Sequence, residues 1–204
     1  MKGSSLTICC LLVAGAILLA CSCQTVSQPD TMTAATTASH APSQAMILPP
    51  ASDTYEVLGV LPGLKNFVVK YDADFIRGGD LLSAEAIVSL QSLGVRTVVS
   101  VTPTDLERDL TRQAGMRLVE MPFEKTTGPS PEALKMFVGL FDGGNTPVYV
   151  HCHGGTHRGG ILGVAYRVHV LGWPWEKALL EYGYLGGSLK DDQPMLRAVR
   201  ELPE

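Results

Sequence analysis

Val148-Tyr149-Val150-His151-Cys152-His153-Gly154-Gly155-Thr156-His157-Arg158-Gly159-Gly160 is the stretch that decides how the chain is read. Its β-branched and aromatic start predicts a strand. A cysteine, a glycine-bearing loop and an arginine follow, and Ile161-Leu162-Gly163-Val164-Ala165 behind them reads as helix. Strand, loop and helix N-terminus in that order turn several backbone N–H groups toward an anion. With Cys152 on the floor and Arg158 on the rim, the stretch predicts a cradle that holds a phosphate over a thiolate.

The surrounding chain alternates strands with helices. Phe67 to Tyr71 and Phe75 to Arg77 read as short strands, with Gly78-Gly79 as a turn after the second. Ser83 to Leu93 carries Ala86, Ile87, Leu90 and Leu93 at helical spacing, closed by Gly94. Thr97 to Val101 is a buried strand by its β-branched content. Thr104 with Glu107 has the form of a capping box and opens a helix to about Ala114, after which Met116 to Met121 is the next strand. Pro122 to Pro129 is a loop, and Pro131 stands at the first position of a helix to about Phe141. Helices are expected again over 160–171, 175–182 and 194–202. The alternation predicts an α/β fold, a mainly parallel sheet covered by helices on both faces. Ligands of such sheets sit at the carboxyl ends of strands, where Cys152 falls.

The 204 residues are 46% hydrophobic, enough for one domain with a proper core. A formal net charge of -4 excludes the basic face that general nucleic-acid binding requires, so no nucleic-acid partner is expected. Cys9, Cys10, Cys21 and Cys23 all lie near the N-terminus, and Cys152 stands alone in the body, so no disulfide framework forms within the domain. Residues 1–20 pair Lys2 with the apolar run Leu6 to Ala20, too short for a comfortable transmembrane span. Leu18-Leu19-Ala20-Cys21 resembles the bacterial lipoprotein signal. That resemblance implies cleavage before Cys21, lipidation of Cys21 and a membrane-anchored, extracytoplasmic protein, with Ser22 favouring the outer membrane. An ordinary signal peptide and an uncleaved anchor are the alternatives. Residues 21–52 are rich in Ser, Thr, Ala, Gln and Pro with almost no charge, a composition expected to form a disordered tether. Its r.m.s. reach is about 30 Å by flexible-coil scaling. The globular domain is expected over 53–204.

Backbone N–H groups, a helix N-terminus and Arg158 all favour the thiolate form of Cys152. The same positive field binds a phosphate dianion, and the guanidinium fork takes two of its oxygens together. Gly154 and Gly155 let the backbone close around the ligand. In-line attack of sulfur on phosphorus then gives a phosphocysteine that water hydrolyses.

His151-Cys152-x5-Arg158 resembles the signature of the cysteine-dependent protein tyrosine and dual-specificity phosphatase superfamily. Phe75-Ile76-Arg77-Gly78-Gly79, Ser83-Ala84-Glu85 and Leu93-Gly94-Val95-Arg96-Thr97-Val98-Val99 are similar to the N-terminal half of its small bacterial and fungal dual-specificity-like members. Met121-Pro122-Phe123 is similar to the segment carrying the general-acid loop. The resemblance spans about Val57 to Tyr184 and implies a sheet of four or five strands flanked by helices. It implies a phosphorylated substrate, no cofactor and no metal, with Cys152 as nucleophile, Arg158 as clamp and His151 as structural support. The remaining loop residues, His153, Gly154, Gly155, Thr156, His157 and Gly159, are the candidate phosphate contacts.

Two positions depart from the family. A hydroxyl residue normally follows the arginine, where it assists breakdown of the phosphocysteine, and here stands Gly159. No Asp occurs between Asp109 and Asp142 to serve as general acid, so Glu124 is the carboxylic acid on the right loop. A slow or inactive phosphate-binding module is therefore the second reading. His151, Cys152, His153 and His157 also cluster as metal ligands would, although neighbouring strand residues point to opposite faces and the usual zinc spacings are missing. A sulfurtransferase of the rhodanese type, whose loop characteristically differs in length, is a further alternative.

Overall fold

The computed structural model describes residues 49–203. The signal segment, Cys21 and the tether up to residue 48 lie outside the described residues. One sheet runs in the order β1-β2-β3-β6-β4-β5. Its strands are β1 (Glu56–Val60), β2 (Phe67–Lys70), β3 (Phe75–Gly78), β4 (Thr97–Ser100), β5 (Arg117–Glu120) and β6 (Val148–His151). The four strands β3, β6, β4 and β5 are parallel, and β1 and β2 extend the β3 edge as an antiparallel meander. The sheet is mainly parallel, as expected, and one strand wider than the four or five implied. The additional strand is β1, whose register shifts between Val57 and Gly59 and so breaks the alternation that marks a strand in sequence.

Period-two alternation sorts the strand residues onto two faces. Val68, Ile76, Val98 and Tyr149 join Leu64, Ala86, Ile87 and Leu90 in one apolar cluster, under α1 (Ala84–Ser92) and α2 (Asp105–Gln113). Val69, Phe75, Val99, Val148 and Val150 join Leu134, Phe137, Ile161, Leu162, Tyr166 and Tyr182 in the other. That second face is covered by α3 (Pro131–Gly139), α4 (Arg158–Ala165), α5 (Trp175–Tyr184) and α6 (Gln193–Arg200). Leu134 and Phe137, both wholly buried on α3, each contribute about 1.5–3 kcal/mol by leaving water.

The helix expected over 160–171 starts at Arg158 and changes pitch to a π-helix over Tyr166–Val170. Arg167 within that segment is buried and donates from Nε to Oε1 of Glu181 at 2.8 Å. Its guanidinium also lies 4.1 Å from the centroid of Trp173. The altered pitch thus carries a buried, paired cation between α4 and α5. Near the start of the described residues the Tyr55 hydroxyl donates to the carbonyl of Pro50 at 2.8 Å. Among the described residues, no helix is long and apolar enough to cross a membrane.

β6 is flanked on both sides by parallel partners, with Val150 opposite Arg77 of β3 and Val99 of β4. Whatever follows its last residue, His151, therefore sits over the middle of the sheet.

Candidate active site

Cys152 follows β6 and opens the loop that ends at the first turn of α4. The residue is 4% exposed, and Sγ accepts a 3.4 Å hydrogen bond from the Gly159 N–H. The Gly155 N–H donates to the carbonyl of Cys152 at 3.2 Å, so the loop folds back on its own start. A cleft of about 340 Å³ opens above the sulfur, lined by Asn66, Lys125, Cys152, His153, Gly154, Thr156, His157 and Arg158. Two larger open grooves run along α6, of about 650 and 560 Å³, and neither has a thiol or an imidazole on its walls. Chemistry, rather than size, picks out the cleft at Cys152.

The loop conformation is imposed by its neighbours. Gly155 has φ +74°, and a Cβ there would lie 2.4 Å from the carbonyl oxygen of Gly78, so only glycine lets the loop settle on the end of β3. Gly78 is itself constrained, since a Cβ would meet the Tyr149 hydroxyl at 2.3 Å. Gly78-Gly79 thus provides close approach for the loop and for Tyr149, whose hydroxyl donates to Gly79 O at 2.8 Å. This differs from the plain turn expected of that pair. The Asn66 side chain donates to Gly154 O at 3.0 Å. Arg77 is 1% exposed and donates from Nη1 to Thr156 O at 3.2 Å and from Nη2 to Leu185 O at 3.3 Å. A buried guanidinium whose hydrogen bonds go to carbonyls leaves its positive charge beneath the loop that follows Cys152.

His151 and Cys152 diverge, as adjacent residues leaving a strand must. His151 stacks 5.8 Å from Tyr149 on the α1/α2 face. There Nε2 lies 2.5 Å from Oε1 of Glu107, and Nδ1 lies 3.4 Å from Oδ1 of Asp80, an ionic contact without hydrogen-bond alignment. Burial opposes protonation of His151, but the Asp80 and Glu107 carboxylates outweigh it and raise its pKa. Glu107 is 1% exposed and also accepts from the Ser100 hydroxyl at 2.7 Å. Thr104 caps α2 as expected, its side chain accepting from the Glu107 N–H. The Glu107 carboxylate has a different use from the one the capping box assigns it. Asp80 was equally missed. It accepts from Thr102 Oγ1 at 3.0 Å and contacts His153 Nδ1 at 2.7 Å. Burial would raise its pKa, but its contacts with His151, Thr102 and His153 prevail and hold it down to about 2.

The rim is formed by other elements. His153 is exposed, and its Nε2 lies 2.6 Å from Lys65 Nζ. Arg158 is half-buried and donates from Nη1 to the carbonyl of Phe123 at 3.4 Å, which ties it to the loop after β5. Glu124, next on that loop, is exposed and is not among the cleft-lining residues; Lys125 is. Lys125 Nζ lies 3.7 Å from Oδ1 of Asp192, and Oδ2 of the same buried carboxylate lies 2.6 Å from His157 Nδ1. Gly159 leaves space for a side chain: a Cβ would stand 3.7 Å from Cys152 Sγ and 3.6 Å from Arg77 Cγ, both ordinary contacts. Among the described residues, no group of three or more His, Cys, Asp or Glu side chains could hold a metal ion.

A family model described as DSP-PTPase phosphatase fused to NAD+ kinase matches residues 65–178. The dual specificity protein phosphatase TpbA of Pseudomonas aeruginosa is 33% identical over 113 residues, which make up 55% of this chain and 51% of TpbA. The chain thus spans about half the length of the curated relatives it matches. A crystal structure of P. aeruginosa TpbA superposes with a TM-score of 0.60 at 28% identity, covering 74% of this chain and 95% of that one. A Cys-to-Ser variant of TpbA in complex with pTyr gives the same TM-score at 27% identity, covering 75% of this chain and 96% of its own. PTPMT1 shares the fold, with a TM-score of 0.52 at 20% identity over 64% of this chain and 92% of its own.

Proposed function

The chain belongs to the family of DSP-PTPase phosphatases described as fused to NAD+ kinase, and from that premise we propose that its cleft hydrolyses phosphomonoesters through a phosphocysteine on Cys152. The observation that carries this reading is the buried Sγ of Cys152 under the Gly159 N–H, at the floor of a cleft whose wall includes Arg158. The Cys152 thiolate attacks phosphorus in line while Arg158 holds two non-bridging oxygens. The leaving oxygen needs a proton, for which the rim offers Glu124 on the loop after β5 and His157 on the cleft wall. Water then attacks the phosphocysteine and releases phosphate. Gly159 brings no hydroxyl to this second step, so dephosphorylation of the enzyme is the slow half of the cycle. That same position favours the second reading, a phosphate-binding module with little turnover.

TpbA has been captured with pTyr, which makes phosphotyrosine the first substrate to test on this chain, beside phosphoserine and small phosphate esters. In the test, Cys152→Ser is expected to reduce phosphate release to background while retaining the fold by circular dichroism. Undiminished turnover in that variant overturns the mechanism. A single-turnover assay separates the two readings: the enzyme releases the leaving group in a burst with one equivalent of phosphate trapped on Cys152, whereas a binding module shows no burst.

The N-terminal segment carries a separate proposal, that Cys21 is lipidated and anchors an extracytoplasmic domain to a bacterial membrane. The Leu18-Leu19-Ala20-Cys21 motif and the tether composition support it. Expressed in a bacterium, the chain should partition into the detergent phase and Cys21→Ala into the aqueous phase; identical partitioning of the two refutes the anchor.

A further inference from the structure

We propose that His157, oriented by the buried carboxylate of Asp192, is the group that protonates the leaving oxygen. This assignment rests on the phosphocysteine reading above.

Asp192 is wholly buried at the N-terminus of α6. Its Oδ2 accepts from the Tyr182 hydroxyl at 2.5 Å and from the Ser188 N–H at 3.1 Å, and lies 2.6 Å from His157 Nδ1. Burial would raise the Asp192 pKa, but the hydrogen bonds from Tyr182, His157 and Ser188 prevail and lower it, so the carboxyl is ionised. An ionised carboxylate only accepts hydrogen bonds, so His157 Nδ1 carries a proton. Nε2 is therefore the nitrogen not engaged by the carboxylate, on a ring that is 37% exposed and lines the cleft beside Cys152 and Arg158. A buried acid, a tautomer fixed by it and a free imidazole nitrogen on the substrate wall together make a proton donor.

The rest of the rim supports the assignment. Asp192 Oδ1 is buried without a hydrogen-bond partner, and Lys125 Nζ lies 3.7 Å from it. Lys125 thereby draws the loop after β5 toward the same carboxylate that holds His157. Glu124, meanwhile, is exposed, and its carbonyl is engaged by the Gly128 N–H at 2.8 Å in the turn of that loop. The loop turns a lysine to the cleft, and the acid function falls to His157 on the same lining.

The steps balance. As sulfur bonds to phosphorus, the P–O bond to the leaving group breaks, and its oxygen takes the Nε2 proton of imidazolium His157. This yields the alcohol or phenol, phosphocysteine and neutral His157. In the second step, neutral Nε2 accepts a proton from the water that attacks phosphorus. That releases phosphate, returns the Cys152 thiolate and restores the imidazolium.

Leaving-group dependence tests the assignment. Phenolate needs a proton to depart, whereas dinitrophenolate leaves without one. The full chain in detergent is assayed on phenyl phosphate and on 2,4-dinitrophenyl phosphate, with wild type, His157→Asn, Asp192→Asn and Glu124→Gln compared. His157→Asn is expected to lose about 100-fold to 1,000-fold on phenyl phosphate and at least tenfold less on the dinitrophenyl ester. Asp192→Asn is expected to move the ratio in the same direction. Tungstate binding, measured by calorimetry, should be retained in His157→Asn because Arg158 and the loop amides hold the oxyanion. Equal losses on the two esters, or a ratio that follows Glu124→Gln instead, overturn the assignment alone. No phosphate release from either ester by wild type, or release surviving Cys152→Ser, overturns the phosphocysteine reading and this assignment with it.

Discussion

Oε1 of Glu107 lies 2.5 Å from Nε2 of His151, both residues being 1% exposed, so α2 reaches under the sheet to the residue that precedes Cys152. Replacing one charged partner of a buried pair removes more than its hydrogen bond, because the other charge is left without its counter-ion. Glu107→Gln keeps the shape and deletes the charge. The expected result is a lower imidazole pKa for His151 by NMR titration, about 1–3 kcal/mol less stability to urea, and weaker tungstate binding. A His151 titration curve unchanged in this variant would mean that Asp80 alone supports the proton.

The two ends of that network give stability a defined pH range. The Asp80 carboxyl sits at about 2 in the folded protein against an ordinary 3.8. Its contribution is complete above the unfolded value and is lost as pH falls from about 4 toward about 2. His151 is shifted the other way, upward from 6.5. Its contribution is complete below that value and declines as pH rises through the folded-state pKa. Thermal midpoints should therefore be highest between about pH 4 and 6.5 as far as this pair decides them. Asp80→Asn should flatten the acid limb; an acid limb of undiminished slope would place its origin elsewhere.

At Gly159 the absent side chain has room waiting for it, 3.7 Å from Cys152 Sγ. Gly159→Ser puts a hydroxyl within reach of the sulfur without displacing a neighbour. The expected effect is a steady-state rate higher by about tenfold with the burst rate little changed, since the hydroxyl acts on breakdown of the intermediate. Rapid-quench kinetics reads both phases. A slower burst and an unchanged steady state would contradict the assignment of the slow step.

Arg77 holds two carbonyls, of half-buried Thr156 and buried Leu185, and places a cation below the loop. Arg77→Met should leave both oxygens without donors, at about 1–3 kcal/mol each, and should weaken tungstate binding by roughly tenfold to a hundredfold. Arg77→Lys returns the charge without the fork and should recover part of the tungstate affinity. Failure of the lysine to recover any would reduce Arg77 to a structural donor.

Local features of the site were legible in sequence because their determinants are contiguous. A strand, a cysteine, glycines and an arginine within 148–160 specify the cradle, and the alternation of strands and helices specifies the parallel sheet around it. What escaped lies far along the chain from what it touches. Glu107 is 44 residues from His151, and Asp192 is 35 from His157. Glu107 had a local explanation as the second half of a capping box, and its cross-sheet role overrides that signal. Arg77 sat in a quoted motif, yet nothing in linear spacing shows which loop carbonyl it meets. β1 was hidden by its own bulge.

β6 stands between β3 and β4, which precede it by tens of residues and do not pair with one another. A chain synthesised as far as Asn145 thus holds two separate pieces of sheet, a meander of three strands and a pair, with the keystone still missing. The strand that joins them delivers Cys152 in the same motion. Completion of the sheet and delivery of the cleft's floor thus depend on the same long-range pairing of β6, so a half-built chain presents no finished cleft.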